Sequence, residues 1–235
     1  MSVKIALIEL LVDLVMRLEN KKLKIRQAPI RRRKTLPERE QREAFERLWK
    51  QYQLQGENPL ISYNLPYPKI DFLNYLCDFG ENLVSGGIVA HGSNQGDLTI
   101  LEPVRKSRDV TEFGNRLQIF ATQDATYATW FAILNKTRYV STKNACLRVG
   151  SQDANWVKLY YFYLRREDAP IKPYTTGYIY LCRALDFPAR RQDKMYAALE
   201  LEAEECGSEQ AVSPLARLAV EPASFPYLNQ VEYVL

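Results

Sequence analysis

The stretch Gly87-Ile88-Val89-Ala90-His91-Gly92-Ser93 lies where the chain changes from helical to strand-like periodicity. Its apolar run is typical of a buried strand, and it ends near the one histidine of the 235-residue sequence. The glycine after His91 either supports a turn or lets another molecule approach the backbone closely. A lone histidine after a strand is most often structural, so its role depends on what the rest of the chain brings to it. The stretch therefore predicts a strand that ends in a candidate binding residue.

Short strand-like segments dominate the chain after this stretch. They are rich in Tyr, Val, Ile and Phe, which favour strands, and turn residues separate them. One clear helical segment, residues 123–134, interrupts them, and Asp124 near its start suits the positive end of a helix. The predicted strands are residues 88–92, 117–121, 156–164, 177–181, 215–220 and 231–234. This pattern predicts an α+β domain over residues 86–235 with a core of short strands.

The chain before residue 86 has helical periodicity instead. Residues 3–20 carry apolar side chains at helical spacing, and Glu9 and Asp13 interrupt an apolar run that is too short to span a bilayer. We expect this segment to be a helix that docks on a partner or mediates self-association, with a membrane-surface helix as the alternative. No membrane span is predicted.

Two further helices are predicted before residue 80. Thr35-Leu36-Pro37-Glu38 has the spacing of a capping box, in which the threonine accepts from the helix start and the glutamate reaches back. The helix that follows extends to Gln53, and a third helix covers residues 70–79. The apolar stripe of the second helix is formed by Phe45, Leu48, Trp49 and Tyr52. We therefore assign residues 1–85 to an N-terminal helical region that contains a basic linker.

The charges of the chain are unevenly distributed, although the net charge is only +4. Residues 21–34 hold lysines and arginines without an intervening acid, and the stretch ends with Arg31, Arg32, Arg33 and Lys34. It also contains a proline, so an exposed linker is predicted; the same cations would attract phosphate backbones or a protein partner. The acidic residues 200–209 are predicted to form an exposed helix that ends at Gly207.

Composition narrows the class of protein. The sequence is 46% hydrophobic and 26% charged, which is ordinary for a globular protein with a buried core. The cysteines lie far apart and form no C-x-x-C pair, so no sequence-local zinc site is predicted. They are Cys77, Cys146, Cys182 and Cys206. We expect reduced core cysteines, no metal and a cytoplasmic location.

Two later segments give the histidine a context. Ile119-Phe120-Ala121-Thr122 leads directly into a helix that contains Tyr127-Ala128-Thr129-Trp130. At the end of the chain, Gln230-Val231-Glu232-Tyr233-Val234 places an acid within an otherwise apolar strand. A lone glutamate in a terminal strand normally faces solvent, so the order of the three segments carries more information than any one of them.

In this order, the segments resemble the catalytic domain of the poly(ADP-ribose) polymerase branch of the ADP-ribosyltransferases, which has a diphtheria-toxin-like fold. That branch has His-Gly-Ser/Thr on its first strand, an I-Y-F-A strand before a helix with an aromatic residue, and a terminal strand with glutamate in an N-E-Y-I context. The resemblance covers about residues 86–235. It implies an ADP-ribosyltransferase-like split β-sheet core, with NAD as the substrate and nicotinamide as the leaving group.

The resemblance also implies roles for individual residues. His91 would bond the adenosine-ribose hydroxyl of NAD, and the Gly92 backbone would hold the nicotinamide carboxamide with Ser93 nearby. Trp130 would stack on the nicotinamide ring, and Glu232 would be the catalytic carboxylate. A carboxylate suits this chemistry because cleavage of the nicotinamide–ribose bond passes through an oxocarbenium-like state.

Two positions depart from the family pattern. The middle-strand tyrosine of the family aligns with Ile119 or Phe120, and a small serine in the next helix aligns with the bulkier Tyr127. We include Phe120 and Tyr127 among the expected NAD contacts. These differences favour mono-ADP-ribosylation of a protein or nucleic acid, NAD hydrolysis, or an inactive relative over elongation of a polymer.

Two other functions remain open at this point. One is a catalytically silent module of the same fold that binds nucleic acid or protein through Arg31, Arg32, Arg33 and Lys34. The other is an enzyme similar to the RNA 2′-phosphotransferases, which carry a His-Gly-Thr-like segment and do not depend on a terminal-strand glutamate. The enzyme hypothesis predicts that His91, Trp130 and Glu232 converge on one cleft.

Overall fold

The chain folds into an α+β structure with three α-helices and two β-sheets in its described part. The computed structural model describes residue 10 and residues 30–103, 112–136, 142–149, 157–165, 173–191 and 201–234. The helices are α1 (Arg39–Gln53), α2 (Lys69–Phe79) and α3 (Ala125–Ile133). Apart from residue 10, the predicted helix 3–20 lies outside the described residues, as do the basic residues before residue 30 and Trp156.

The strands are distributed over two sheets. They are β1 (Ile30–Arg33), β2 (Ile88–Ser93), β3 (Ile119–Thr122), β4 (Thr142–Val149), β5 (Val157–Arg165), β6 (Gly177–Arg183), β7 (Ala189–Arg190), β8 (Leu201–Ala203), β9 (Glu205–Ser208), β10 (Ala216–Val220) and β11 (Glu232–Val234). Sheet A has the order β1-β5-β4-β8, and β11 also pairs with β5. Sheet B has the order β10-β6-β2-β3-β9-β7.

The basic stretch does not end as an exposed linker, because its last residues form strand β1. β1 pairs antiparallel with the first half of β5, while β11 pairs parallel with the second half. Successive side chains of a strand point to opposite faces, so Arg31 and Arg33 are exposed while Arg32 between them is turned inward. The linker prediction is therefore wrong for residues 30–33.

The two sheets are joined where β8 runs into β9, so the helix predicted for residues 200–209 is wrong. β8 belongs to sheet A and β9 to sheet B, and Glu204 lies at the corner between them. Glu204 is buried, and its backbone N–H donates to the Cys146 carbonyl. β9 pairs antiparallel with all four residues of β3, Ile119–Thr122, which is the pairing of a strand and not of a helix.

Helix α3 lies between the sheets. Eight of its nine residues are buried, as expected for a helix that is apolar on all sides. Ala128 and Ala132, one turn apart, face Gly92 of β2 and Gly177 of β6, where any β-carbon would collide with the helix backbone. These glycines let the helix approach sheet B closely, and this packing fixes the position of the His91 segment.

A single apolar cluster spans the predicted boundary between residues 85 and 86. It contains Phe45 of α1 and Leu76 of α2 together with Ala90, Trp130 and Phe162. The described part of the N-terminal region thus shares its core with the sheets. None of the helices in the described ranges is long and apolar enough to cross a membrane.

Helix α1 confirms the predicted stripe but not the predicted cap. Its buried residues are Phe45, Leu48, Trp49 and Tyr52. The helix begins at Arg39 rather than after Thr35, and no side chain caps its first turn. The Thr35 hydroxyl instead donates to the Arg33 carbonyl at 3.5 Å, so the capping-box prediction is wrong.

Candidate functional site at a fork between two strands

Strands β2 and β3 form a fork at the His91 segment. Within the described residues, these strands pair at one position, Ala90 with Thr122. β2 then continues along β6 on its other side as far as Ser93, which pairs with Tyr178. Beyond Ala90, the described partners of His91, Gly92 and Ser93 are the β6 residues Tyr180, Ile179 and Tyr178.

The His91 imidazole spans this fork. Its Nδ1 atom lies 2.7 Å from the Phe120 carbonyl oxygen on β3, and the side chain is half-buried. A carbonyl oxygen only accepts, so Nδ1 carries the proton in this contact. The Tyr180 ring, on the paired residue of β6, lies 6.3 Å from the imidazole between ring centroids. These contacts fix the orientation of the ring.

Gly92 and Ser93 lead into a turn that is held by the C-terminal end of α3. Lys136 Nζ donates to the Gly92 carbonyl at 3.4 Å. The Asn94 side chain donates to the Ala132 carbonyl at 2.5 Å, and Ser93 Oγ accepts from the Gln95 N–H at 3.1 Å. The β2 strand of the fork is thus held by hydrogen bonds at the end of α3 and by its pairing with β6 of sheet B.

A polar cluster lies at the junction of the two sheets, on the α3 side of sheet B. The Tyr127 hydroxyl lies 2.8 Å from Asn144 Oδ1 on β4 and 2.9 Å from Glu205 Oε1 on β9, and its single proton can be donated to either acceptor. Arg191 Nη1 contacts Glu205 Oε2 at 2.6 Å. Burial and the neighbouring Glu205 carboxylate raise the pKa of Tyr127 well above its ordinary value, so the phenol stays protonated. We call Tyr127, Asn144, Arg191 and Glu205 the junction cluster.

Phe120 lies between the fork and the junction cluster. It is half-buried, and its ring packs edge-on against Phe113 at 5.8 Å. Along β3 it is two residues from Thr122, so both side chains lie on the same face of sheet B. Phe120 is paired with Gly207 of β9, which has no side chain to cover it.

Trp130 lies in the core. Its side chain is 0% exposed and contacts three aromatic rings. Their centroids are at 5.0 Å for Phe162, 5.6 Å for Phe225 and 6.2 Å for Tyr174. In this arrangement Trp130 presents no face on which a nicotinamide ring can stack. Tyr127 is also buried, and its hydroxyl group contacts Asn144 and Glu205.

Glu232 points away from α3. Tyr160, Phe162 and Leu164 of β5 belong to the core cluster that includes α3, so the alternate residue Tyr163 faces the other side of sheet A. Glu232 is paired with Tyr163, and directly paired residues share a face. The structure therefore brings the His91 imidazole to the Phe120 carbonyl at the fork. The Phe120 side chain lies on the opposite face of sheet B from the imidazole, and Trp130 and Glu232 are not at the fork.

A buried group of charges lies at the start of α3. Asp124 caps the helix by accepting from the Tyr127 N–H at 2.7 Å, which confirms its predicted place at the helix start. Its carboxylate also contacts Lys158 Nζ at 2.9 Å and Arg32 Nη2 at 2.9 Å. Arg32 also contacts Asp78 at 2.6 Å. Lys158 Nζ also lies 3.5 Å from Glu204 Oε2. We call Arg32, Asp78, Asp124, Lys158 and Glu204 the buried charge cluster.

The buried charge cluster shows that the predicted binding surface of Arg31, Arg32, Arg33 and Lys34 is wrong for one of these residues. The Arg32 side chain is only 14% exposed and is engaged by two carboxylates, so it is not available to a nucleic acid or a protein partner. Arg31 and Arg33 are exposed on the opposite side of β1. The Lys34 ammonium lies over the Phe79 ring at 4.4 Å.

A surface cavity lies elsewhere on sheet B. Its volume is about 690 Å³, and its charged lining residues are Arg183, Asp186 and Glu209. None of the predicted NAD contacts lines it. Among the described residues, no group of three or more His, Cys, Asp or Glu side chains could hold a metal ion.

No protein-family model, curated protein or solved structure matches this chain.

Proposed function

We propose that this chain is an ADP-ribosyltransferase-type enzyme that binds NAD at the fork and cleaves the bond between nicotinamide and ribose. The observation that carries the proposal is the contact of His91 Nδ1 with the Phe120 carbonyl at 2.7 Å, next to the Ala90–Thr122 pair at which β2 and β3 meet. The resemblance assigns NAD contacts to these same residues, which is why NAD is preferred to other ligands.

The chemistry of a fork suits NAD. A carboxamide has both donor and acceptor groups, which are complementary to backbone C=O and N–H groups. Gly92 supplies backbone without a side chain in the way. An imidazole such as that of His91 has ring nitrogens whose hydrogen-bonding capacity suits a ribose hydroxyl.

The reaction is written with water as the simplest acceptor. The bond between the ribose C1′ atom and the pyridinium nitrogen breaks, and its electron pair leaves with neutral nicotinamide. A water oxygen then forms a bond to C1′ and releases one proton to solvent, which gives ADP-ribose. A protein or nucleic-acid acceptor replaces water in a transfer reaction. The positive charge that develops on the ribose ring calls for a nearby carboxylate.

The experiment is calorimetric titration of the full chain with NAD⁺, combined with chromatography of released nicotinamide. The wild type is expected to bind NAD⁺ and release nicotinamide, and His91→Ala is expected to weaken binding at least tenfold, since about 1.4 kcal/mol corresponds to a factor of ten. The matched control is Arg183→Gln in the separate surface cavity, which should leave both measurements unchanged. Loss of NAD⁺ binding in the control instead would move the site to that cavity.

A second candidate function is supported by the alternation in β1. Arg31 and Arg33 are exposed side by side on one face of this strand, which suits contacts to phosphates. Binding of single-stranded RNA that weakens with salt and with the double change Arg31→Gln and Arg33→Gln, in a chain that does not bind NAD⁺, would support a catalytically silent module.

Glu232 is turned away from α3, which is compatible with a third candidate function. An enzyme similar to the RNA 2′-phosphotransferases requires His91 but no terminal-strand carboxylate. Transfer of a 2′-phosphate from RNA in the presence of NAD⁺ would distinguish this enzyme from one that only transfers ADP-ribose to an acceptor or hydrolyses NAD⁺.

A further inference from the structure

The face of sheet A that is turned away from α3 is apolar and buried. Strand alternation places the odd-numbered residues of β5 on this face, because Tyr160, Phe162 and Leu164 lie on the other face with α3. Leu147 of β4 pairs with Leu159 and therefore shares the face. Its buried residues, each at most 3% exposed, are Leu147, Val157, Leu159, Tyr161 and Tyr163. We call these five residues the outer face of sheet A.

The outer face needs a covering segment. Within the described residues, none of its members belongs to the apolar cluster around α3 or to the cluster on the opposite side of sheet B. Apolar side chains are buried only where other atoms exclude water from them. Arg31 and Arg33 of β1 lie at the rim of this face and are exposed, so the cover ends there. The covering segment therefore comes from outside the described residues.

Residues 3–20 have the pattern that such a cover requires. At about 100° per residue, Leu10 falls on the opposite side of a helix from their apolar stripe. Leu10 is described, and it has a helical backbone and a side chain that is 64% exposed. The pattern thus predicts one side for solvent and the stripe for burial. The stripe is formed by Ile5, Ile8, Leu11, Val12, Val15 and Leu18.

The stripe and the outer face have matching lengths. From Ile5 to Leu18 a helix rises about 20 Å, at about 1.5 Å per residue. From Val157 to Tyr163 a strand also extends about 20 Å, at about 3.3 Å per residue. A helix laid along β5 would therefore cover the whole buried run.

The connection to β1 brings this segment within reach of the outer face. Ile30 pairs with Tyr160 near the middle of β5. The chain between Asn20 and Ile30 can span up to about 33 Å when extended, which is longer than the buried run. The internal ranges outside the described residues, of which residues 192–200 are the longest, carry no apolar stripe of this length. Residues 3–20 are therefore the segment that fits.

We propose that residues 3–20 dock on the outer face of sheet A in their own chain, with the apolar stripe against Leu159, Tyr161 and Tyr163. Their connection to β1 holds them near this face at a high effective concentration, which favours docking within the chain over a second copy or a membrane surface. The docked segment covers sheet A on the side opposite α3. This docking is independent of NAD binding at the fork.

The experiment compares Val12→Asp with Leu10→Asp in the full chain. Val12 belongs to the stripe, so the change places an unpaired carboxylate against apolar side chains, which is costly. Leu10 lies on the exposed side and receives the same carboxylate, so Leu10→Asp is the matched control. Val12→Asp is expected to lower the melting temperature by at least about 5 °C, and Leu10→Asp by less than about 2 °C.

Hydroxyl-radical footprinting read by mass spectrometry identifies the face that is uncovered. Tyr160 and Tyr161 are neighbours on opposite faces of sheet A, and both are buried in the wild type. Val12→Asp is expected to raise the reactivity of Tyr161 and Tyr163 at least about tenfold while Tyr160 stays protected, because local opening uncovers one face only. Val12→Ala is a milder change that should have a smaller effect of the same kind, and it replaces Val12→Asp if that variant does not fold.

Light scattering at several protein concentrations identifies the occupant of the outer face. A monomeric wild type, in which only the stripe variants expose Tyr161, supports docking within the chain. A wild-type dimer that Val12→Asp converts to a monomer would assign the stripe to a second copy and overturn the proposal. It is also overturned if the two aspartate variants melt and react alike, or if Tyr161 is reactive in the wild type and Val12→Asp abolishes binding to phosphatidylglycerol vesicles.

Discussion

Lys158 Nζ lies 2.9 Å from a carboxylate oxygen of Asp124, and both side chains are buried. The contact joins β5 of sheet A to the start of α3, the helix on which the His91 segment packs. Tyr160 donates to the same carboxylate at 2.7 Å, and Lys158 also donates to the Gln123 carbonyl at 3.1 Å. The site therefore depends on a charge arrangement that lies outside it.

Replacement of Asp124 by Asn should destabilise the fold strongly. It leaves the Lys158 ammonium and the Arg32 guanidinium buried with less compensating charge, and removal of one partner from a buried pair costs about 3–5 kcal/mol. The free energy of unfolding from urea denaturation measures the effect. The control is Arg39→Gln, which breaks an exposed contact with Glu43 and should cost less than about 0.5 kcal/mol. Equal effects of the two changes would contradict the importance of the buried charge cluster.

The Asp124 carboxylate should also make the stability of the fold depend on pH. Burial alone would raise the pKa of Asp124, but Lys158 and Arg32 outweigh burial, so its pKa lies below the ordinary value. The unfolded chain then takes up a proton first as the pH falls. Stability from this group is present above about pH 4 and is lost as the pH falls from there through the folded pKa.

Urea denaturation between pH 6 and pH 2.5 tests this dependence. The wild type should lose stability on acidification with a steeper slope than Asp124→Asn, which has no carboxyl group to protonate at this position. Parallel curves for the two proteins would show that Asp124 does not contribute.

Replacement of two neighbouring arginines in β1 should lower the stability of the fold by different amounts. Arg32→Gln removes a guanidinium from two buried contacts and should cost about 3 kcal/mol or more. Arg31→Gln changes an exposed side chain and should cost about 0.5 kcal/mol or less. Thermal and urea unfolding of both variants provide the comparison. A larger loss for Arg31→Gln would contradict the strand register of β1.

A methyl group at Gly92 should displace α3 from sheet B. The added β-carbon would meet the Ala128 carbonyl oxygen and lie 2.8 Å from the Ala132 nitrogen, both of them backbone atoms. Overpacking of this kind costs about 1–3 kcal/mol, so Gly92→Ala should lower both stability and NAD⁺ affinity. Gly56→Ala is the control, since Gly56 has open space around it and only a left-handed backbone to oppose the change. Its NAD⁺ affinity should not change.

Local sequence patterns predicted the elements near the fork. The strand around His91 and the helix capped by Asp124 follow from neighbouring residues, and α2 begins within one residue of its predicted start. These features depend on periodicity and capping, which act over a few residues. The α+β class follows from the same signals.

Pairing between strands that are far apart in the chain creates the contacts that local sequence patterns did not predict. Arg32, Asp124 and Lys158 are far apart in sequence and meet only because β1 pairs with β5 and because α3 begins beside them. Glu205 was hidden within an acidic run whose charge favoured an exposed helix, whereas the corner at Glu204 divides that run between two sheets. The direction of Glu232 depends on its register with Tyr163, and no local pattern encodes that register.

Calorimetric titration of NAD⁺ into the wild type and into His91→Ala tests the central claim most directly. We expect saturable binding to the wild type with one site per chain, and binding to His91→Ala that is at least about tenfold weaker, corresponding to about 1.4 kcal/mol. No heat of binding with the wild type at millimolar NAD⁺, or equal affinity in the two proteins, would contradict a NAD site at the fork between β2 and β3.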